Sequence, residues 1–145
     1  MYICEHFSIK ELVSRGTYQE YEQEIWKLWM MFDDRLLRIL DLLRSNYGPA
    51  VVNTWFSTKL VEAYGYRDEA GLRVRGMKYY KPTSQHSFGR AFDMLFQDHL
   101  AVDVRSEIVT GDVKLPHSIR VEKDVSWFHV DTGNTSGSTV LEVNG

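Results

Sequence analysis

The stretch "TSQHSFGRAFDM" (83–94) sets His86 and Asp93 seven positions apart, with Gly89 between them. Imidazole nitrogen and carboxylate oxygen are both ordinary zinc ligands, and a glycine turn lets the two converge if the aspartate lies on the strand that follows. A catalytic zinc site takes three protein ligands and keeps one position open. The best third candidate is His129 in "SWFHVD", where strand alternation puts Trp127, His129 and Asp131 on one face and Phe128 and Val130 on the other. Such a strand suits the wall of a cleft. Asp131 is either an acceptor that orients a ligand histidine or simply the start of the "DTGN" turn. His6 before the first helix, His99 in a polar segment and His117 behind Pro116 offer less. Taken singly, a His-x6-Asp spacing arises by chance and a lone strand histidine usually packs; only the three together argue for a metal.

These residues need elements to carry them. Ser8 with Glu11 has capping-box spacing for a short helix in "SIKELVS", and Thr17 with Glu20 repeats the signal before a much longer helix. In the longer one Ile25, Leu28, Trp29, Phe32, Leu36, Ile39, Leu40 and Leu43 recur at spacings of three and four, one buried face that runs until "NYGP". Beyond Pro49, "AVVNTWF" and "RAFDMLF" read as strands, "DHLAVDVRSEIVT" as an amphipathic helix, and "HSIRVE", "SWFHVD" and "STVLEV" as three short strands. Between the first two strands, "EAYGYRDEAGLRVRGMKYYKP" is long for an idle loop and is a candidate wall of the site. The order predicts an α+β domain, N-terminal helices packed on a small antiparallel sheet.

With 145 residues and 43% hydrophobic content, the chain fits one domain around one core. A formal charge of −3 leaves no electrostatic footprint for nucleic acid. Cys4 is the single cysteine, which excludes an intramolecular disulfide and a cysteine zinc cage and leaves His and carboxylate as ligands. No apolar run reaches the roughly 18–20 residues that cross a bilayer. The opening "MYICEHFSIKELVS" lacks the basic and apolar regions of a secretory signal, so synthesis in the cytoplasm is expected.

"SQHSFGRAFD" resembles the Ser-x-His-x-x-Gly-x-Ala-x-Asp signature of the zinc D-alanyl-D-alanine carboxypeptidase superfamily, through Ser84, His86, Gly89, Ala91 and Asp93. That group includes the vancomycin-resistance D,D-peptidases, phage L-alanyl-D-glutamate endolysins and the hedgehog signalling domain. "SWFHVD" is similar to its second signature, and "HFSIKELV" to the opening of compact phage-type members; the resemblance covers about residues 50–132. It implies a hedgehog/DD-peptidase-like fold, one zinc ion held by His86, Asp93 and His129, substrate held by Ser84, and a substrate carboxylate bound by Arg73, with Arg75 the alternative. A guanidinium suits a carboxylate because it is permanently charged and bidentate. Where many of these peptidases carry an acid three positions before the last histidine, this chain has Ser126, so the expected general base is Glu122 or, second, Asp124.

The implied reaction is hydrolysis of peptide bonds in the stem peptides of bacterial peptidoglycan, with zinc as Lewis acid and the carboxylate taking the proton of the attacking water. Lack of an export signal fits a phage endolysin or virion-carried lysin. Two rivals follow from the same resemblance: a non-catalytic zinc-binding module, and a virion structural protein on the same fold. The acid discriminates, since chemistry needs Glu122 or Asp124 to reach the metal.

Overall fold

The computed structural model describes residues 1–57, 65–68 and 83–145; Arg73 and Arg75 lie outside them, as does most of the long connection. Helices α1 (Ile9–Leu12), α2 (Arg15–Tyr21), α3 (Ile25–Met30) and α4 (Asp34–Tyr47) come first. After them come β1 (Ala50–Val51), a 3-10 helix (Gln85–Phe88), β2 (Ala91–Phe96), α5 (Ala101–Thr110), β3 (Ile119–Lys123), β4 (Phe128–Asp131) and β5 (Val140–Asn144). The molecule is α+β, but α5 sits between two strands, so the helices are not confined to the N-terminal part.

The capping box at Ser8 and Glu11 is formed. The second helix start is not where Thr17 and Glu20 suggest: Ser14 is the cap, its side chain accepting from the Thr17 amide, and Thr17 lies inside α2. Nor is there one long helix. The chain breaks at 22–24 and again at 31–33, where the Asp33 side chain accepts from the Arg35 amide and starts α4. The apolar period survives the breaks, because Leu28, Trp29, Phe32, Leu36, Ile39, Leu40 and Leu43 are all buried in one core cluster. An N-cap aspartate satisfies an orphan amide that an unbroken helix would have bonded internally, so a break costs little where such a residue stands.

The five strands form one sheet in the order β1-β2-β4-β3-β5. The sheet is mixed rather than antiparallel: β3 and β5 run parallel, with Ile119 opposite Val140 and Lys123 opposite Asn144. β4 has β2 on one side and β3 on the other, so β5 crosses to the far edge of β3, the Ile119 amide donating to the Thr139 carbonyl on the way. "AVVNTWF" contributes only two strand residues, after which Asn53 turns onto α1, its amide donating to the Glu11 carbonyl and its side chain to the Val13 carbonyl.

Alternation divides the sheet. Phe92, Met94, Phe128, Val130, Ile119 and Val121 join the helical residues, among them Val104 and Ile108 of α5, in one core. Phe32 stacks on Phe92 with ring centroids 5.2 Å apart. The registers Asp93 opposite His129 and Arg120 opposite Asp131 put the polar residues of three adjacent strands on the other face.

Candidate metal centre

Asp93 on β2 and His129 on β4 are direct cross-strand partners, and one step further in the β3–β4 register Glu122 falls opposite His129. Strand pairing thus places Asp93 against His129, whereas Glu122 lies one residue beyond the last β3–β4 pair, Val121 with Val130. His86 arrives from outside the sheet, on the 3-10 helix. The turn behind it is fixed by Gly89, which has φ +64 and lies so close to the chain at Met31 and Phe32 that a Cβ would run into the Met31 carbonyl. The Asp33 amide donates to the Gly89 carbonyl and the Thr132 amide to the Arg90 carbonyl, locking the turn between the start of α4 and the end of β4.

The outcome is a buried group in which one ligand atom each from His86, Asp93 and His129 lies within 4.8 Å of the others, an arrangement that could hold a metal ion. The three are only 4, 5 and 5% exposed. His86 Nε2 is 3.5 Å from Asp93 Oδ2, and His129 Nδ1 is 2.7 Å from Asp93 Oδ1. The nitrogens turned away from the group are occupied: His86 Nδ1 is 2.9 Å from the Gly65 carbonyl and His129 Nε2 is 3.2 Å from Asp131 Oδ2. A carbonyl accepts only, so His86 Nδ1 is the donor to Gly65, and Nε2 is the nitrogen turned toward Asp93. Outer partners that settle the tautomer and ring orientation are what metal-binding histidines need.

Asp131 combines both roles open to it. Its Oδ2 meets His129, while Oδ1 accepts from Arg120 Nε and from the Gly133 amide, each at 2.7 Å, so the turn and the orienting contact use different oxygens. Gly133 lies so close to the Arg120 guanidinium that a Cβ would press on it, at 2.6 Å from Cζ.

Electrostatics follow from this packing. Burial works against charge on the His129 ring, but hydrogen bonds to Asp131 and Asp93 outweigh it and carry its pKa up to about 9. Burial likewise opposes ionisation of Asp93, and the hydrogen bonds from His129 and His86 overcome it, holding the carboxyl well below the usual carboxylate range. Asp131 is also lowered: burial is outweighed by its contacts with His129, Arg120 and the Gly133 amide.

Of the two expected bases, Glu122 comes near His129, on the Nε2 side of the ring, and Asp124 lies further off. Glu122 Oε1 lies 3.8 Å from His129 Nε2, with its side chain 24% exposed. Asp124 is exposed, beyond the end of β3, and has φ 61, a left-handed conformation in which aspartate starts the connection to β4. Ser84 stands two residues before His86 as the N-cap residue of the 3-10 helix; it is half-buried, and its hydroxyl does not cap that helix.

Sequence reasoning missed Arg67. Its Nη2 donates to Asp93 Oδ2 at 2.6 Å, from a segment in which the Tyr66 amide donates to the Leu12 carbonyl and Thr17 Oγ1 to Asp68 Oδ2. The available signal was its place in the connection already taken as a wall; nothing periodic separates it there from Arg73 or Arg75. Two of the other histidines are engaged elsewhere: His6 Nε2 lies 3.0 Å from Ser45 Oγ, and the His99 ring packs edge-on against Tyr47. Comparison of the chain with family models, with curated proteins and with solved structures finds no match.

Proposed function

We propose that the chain is a zinc-dependent peptidase that hydrolyses stem peptides of bacterial peptidoglycan and acts at the cell wall as a phage endolysin or virion-carried lysin does. The observation that carries this reading is the buried His86, Asp93 and His129 group with the half-buried Glu122 carboxylate beside it. The signatures around Ser84–Asp93 and Trp127–His129 supply the substrate class.

The donor set suits zinc: two imidazoles and one carboxylate, each imidazole anchored through its other nitrogen, and no thiolate to draw a softer metal. When bound there, zinc supplies Lewis acidity toward water and toward a peptide carbonyl. The remaining work falls to side chains. Glu122 takes the proton of the attacking water and returns it to the leaving amine, a transfer that needs a carboxylate at the rim rather than in the core, as Glu122 is. Asp131 keeps the His129 ring in orientation, and Arg67 holds the Asp93 carboxylate through the bond from its Nη2. Among the described residues no helix is long and apolar enough to cross a membrane.

The test is to incubate purified cell wall with zinc-loaded protein, with and without chelator, and to identify released fragments by mass spectrometry. Fragments that need the metal and vanish in the His86→Ala variant are the expected result. Release that ignores chelator refutes the proposal, and an inert protein that still retains zinc points to a non-catalytic zinc module.

A further inference from the structure

Arg105 on α5 is only 6% exposed, although it carries a full charge, and no carboxylate pairs with it among the described residues. Its Nη2 donates to two backbone carbonyls, Val125 at 3.1 Å and Trp127 at 2.8 Å, while its Nε is buried with no hydrogen-bond partner among the described residues. Both carbonyls belong to the connection between β3 and β4, residues 124–127, which opens with the left-handed Asp124. Glu122 stands two residues before this connection and His129 two residues after it.

Inward-facing carbonyls in so short a connection have no strand partner and must find donors. A hydrocarbon in the place of Arg105 would spare the cost of burying a charge but would leave both carbonyls unpaired. A guanidinium reaches both from one nitrogen at the end of a long stem, and a rigid helix fixes where that stem begins. α5 also packs against β4 and β5, so the hold is anchored to the same sheet that carries His129.

We propose that Arg105 is a positioning residue: by clamping the carbonyls of Val125 and Trp127 it fixes the β3–β4 connection and thereby the separation of Glu122 from His129. It touches neither substrate nor metal. The inference rests on the peptidase reading for its consequence in turnover, though not for its structural content.

The experiment compares Arg105→Met, Arg105→Lys and a control, Ile108→Val, on the same helix in the full chain. Three quantities are read: amide hydrogen exchange over residues 122–129, zinc affinity, and kcat and KM on a wall-derived stem peptide. In Arg105→Met exchange over 124–127 should accelerate about tenfold. In that variant kcat should fall about tenfold with KM and zinc affinity within about threefold, because the proton acceptor is displaced while the ligands stay. Arg105→Lys, which keeps a charged donor, should recover part of both losses, and Ile108→Val should show neither. Should Arg105→Met fail to fold, Arg105→Lys still decides, since its shorter stem stops the ammonium short of the point from which Nη2 reaches both carbonyls, and exchange should rise measurably. Wild-type exchange in the lysine variant, equal changes in the control, or a parallel loss of zinc affinity and kcat would each overturn the proposal. If the wild-type protein cuts no wall at all, the peptidase reading falls, and unchanged exchange in the Arg105 variants separately sinks the clamp.

Discussion

At the scale of single residues, the chemistry around the candidate centre was partly written in residue type and spacing. His86, Asp93 and His129 can be picked out because histidines are few and strand alternation assigns His129 a face. The choice between Glu122 and Asp124 could not be made that way, since both are acids on the same parity and only the end of β3 at Lys123 separates them. Arg67 was invisible because a side chain in an aperiodic connection has no pattern to betray its direction. The positions differ in what their loss should do. Glu122→Gln keeps the size of the side chain but removes proton acceptance, so turnover should fall by about 10²–10⁴ while zinc content by elemental analysis is unchanged; an Asp124→Asn variant should retain activity. Asp131→Asn leaves the ligands in place but weakens the acceptor for His129 Nε2 and strands Arg120, so zinc affinity should drop about 10–100-fold in a chelator competition. An affinity equal to wild type would reduce Asp131 to a turn residue.

At the scale of elements, what positions the centre is a set of close backbone approaches, and sequence hides most of them. The short α1 matters out of proportion to its four residues, because the Leu12 carbonyl receives the Tyr66 amide and so docks the segment whose Gly65 carbonyl meets His86 Nδ1. A Cβ at Gly65 would run into the Leu12 carbonyl and crowd the Asn53 side chain at 3.0 Å. Gly65→Ala should therefore push this segment outward, lowering zinc affinity along with thermal stability, whereas Gly111→Ala, with open space around it, should leave zinc affinity alone. Parallel chelator titrations and melting curves of the two variants check this. Helix segmentation shows the same limit from the other side. The apolar period from Leu28 to Leu43 was legible since it is enforced by the core, but the start of α2 depends on Ser14 and the break at 31–33 on Asp33 acting as caps, and each looks like any other polar residue in an amphipathic pattern. The sheet order was illegible for a related reason: strand existence follows from alternation, whereas the pairing of β5 with β3 follows from both edges of β4 being taken.

At the scale of the whole molecule, one sheet separates two environments, a dry core on one face and a charged, buried row on the other, and this division has a consequence for pH. In the metal-free protein His129 sits between two carboxylates and titrates at about 9, above the 6.5 of an unperturbed histidine. A raised folded-state value means that protonated His129 favours the fold: its contribution is complete below about 6.5 and is lost as pH climbs through about 9. Metal binding runs the opposite way, because a ligand imidazole must give up its proton on the coordinating nitrogen. At pH 7 binding should therefore expel about one proton, and zinc affinity should rise about tenfold per pH unit up to about 9 and level off there. The melting temperatures of the zinc-loaded and metal-free protein should accordingly diverge between pH 6.5 and 9, the first gaining as the second loses. Titration calorimetry in two buffers of different ionisation enthalpy counts the proton directly. A heat independent of buffer at pH 7 would mean that His129 is already neutral before metal arrives, and that the Asp93 and Asp131 carboxylates do not govern the ring between them.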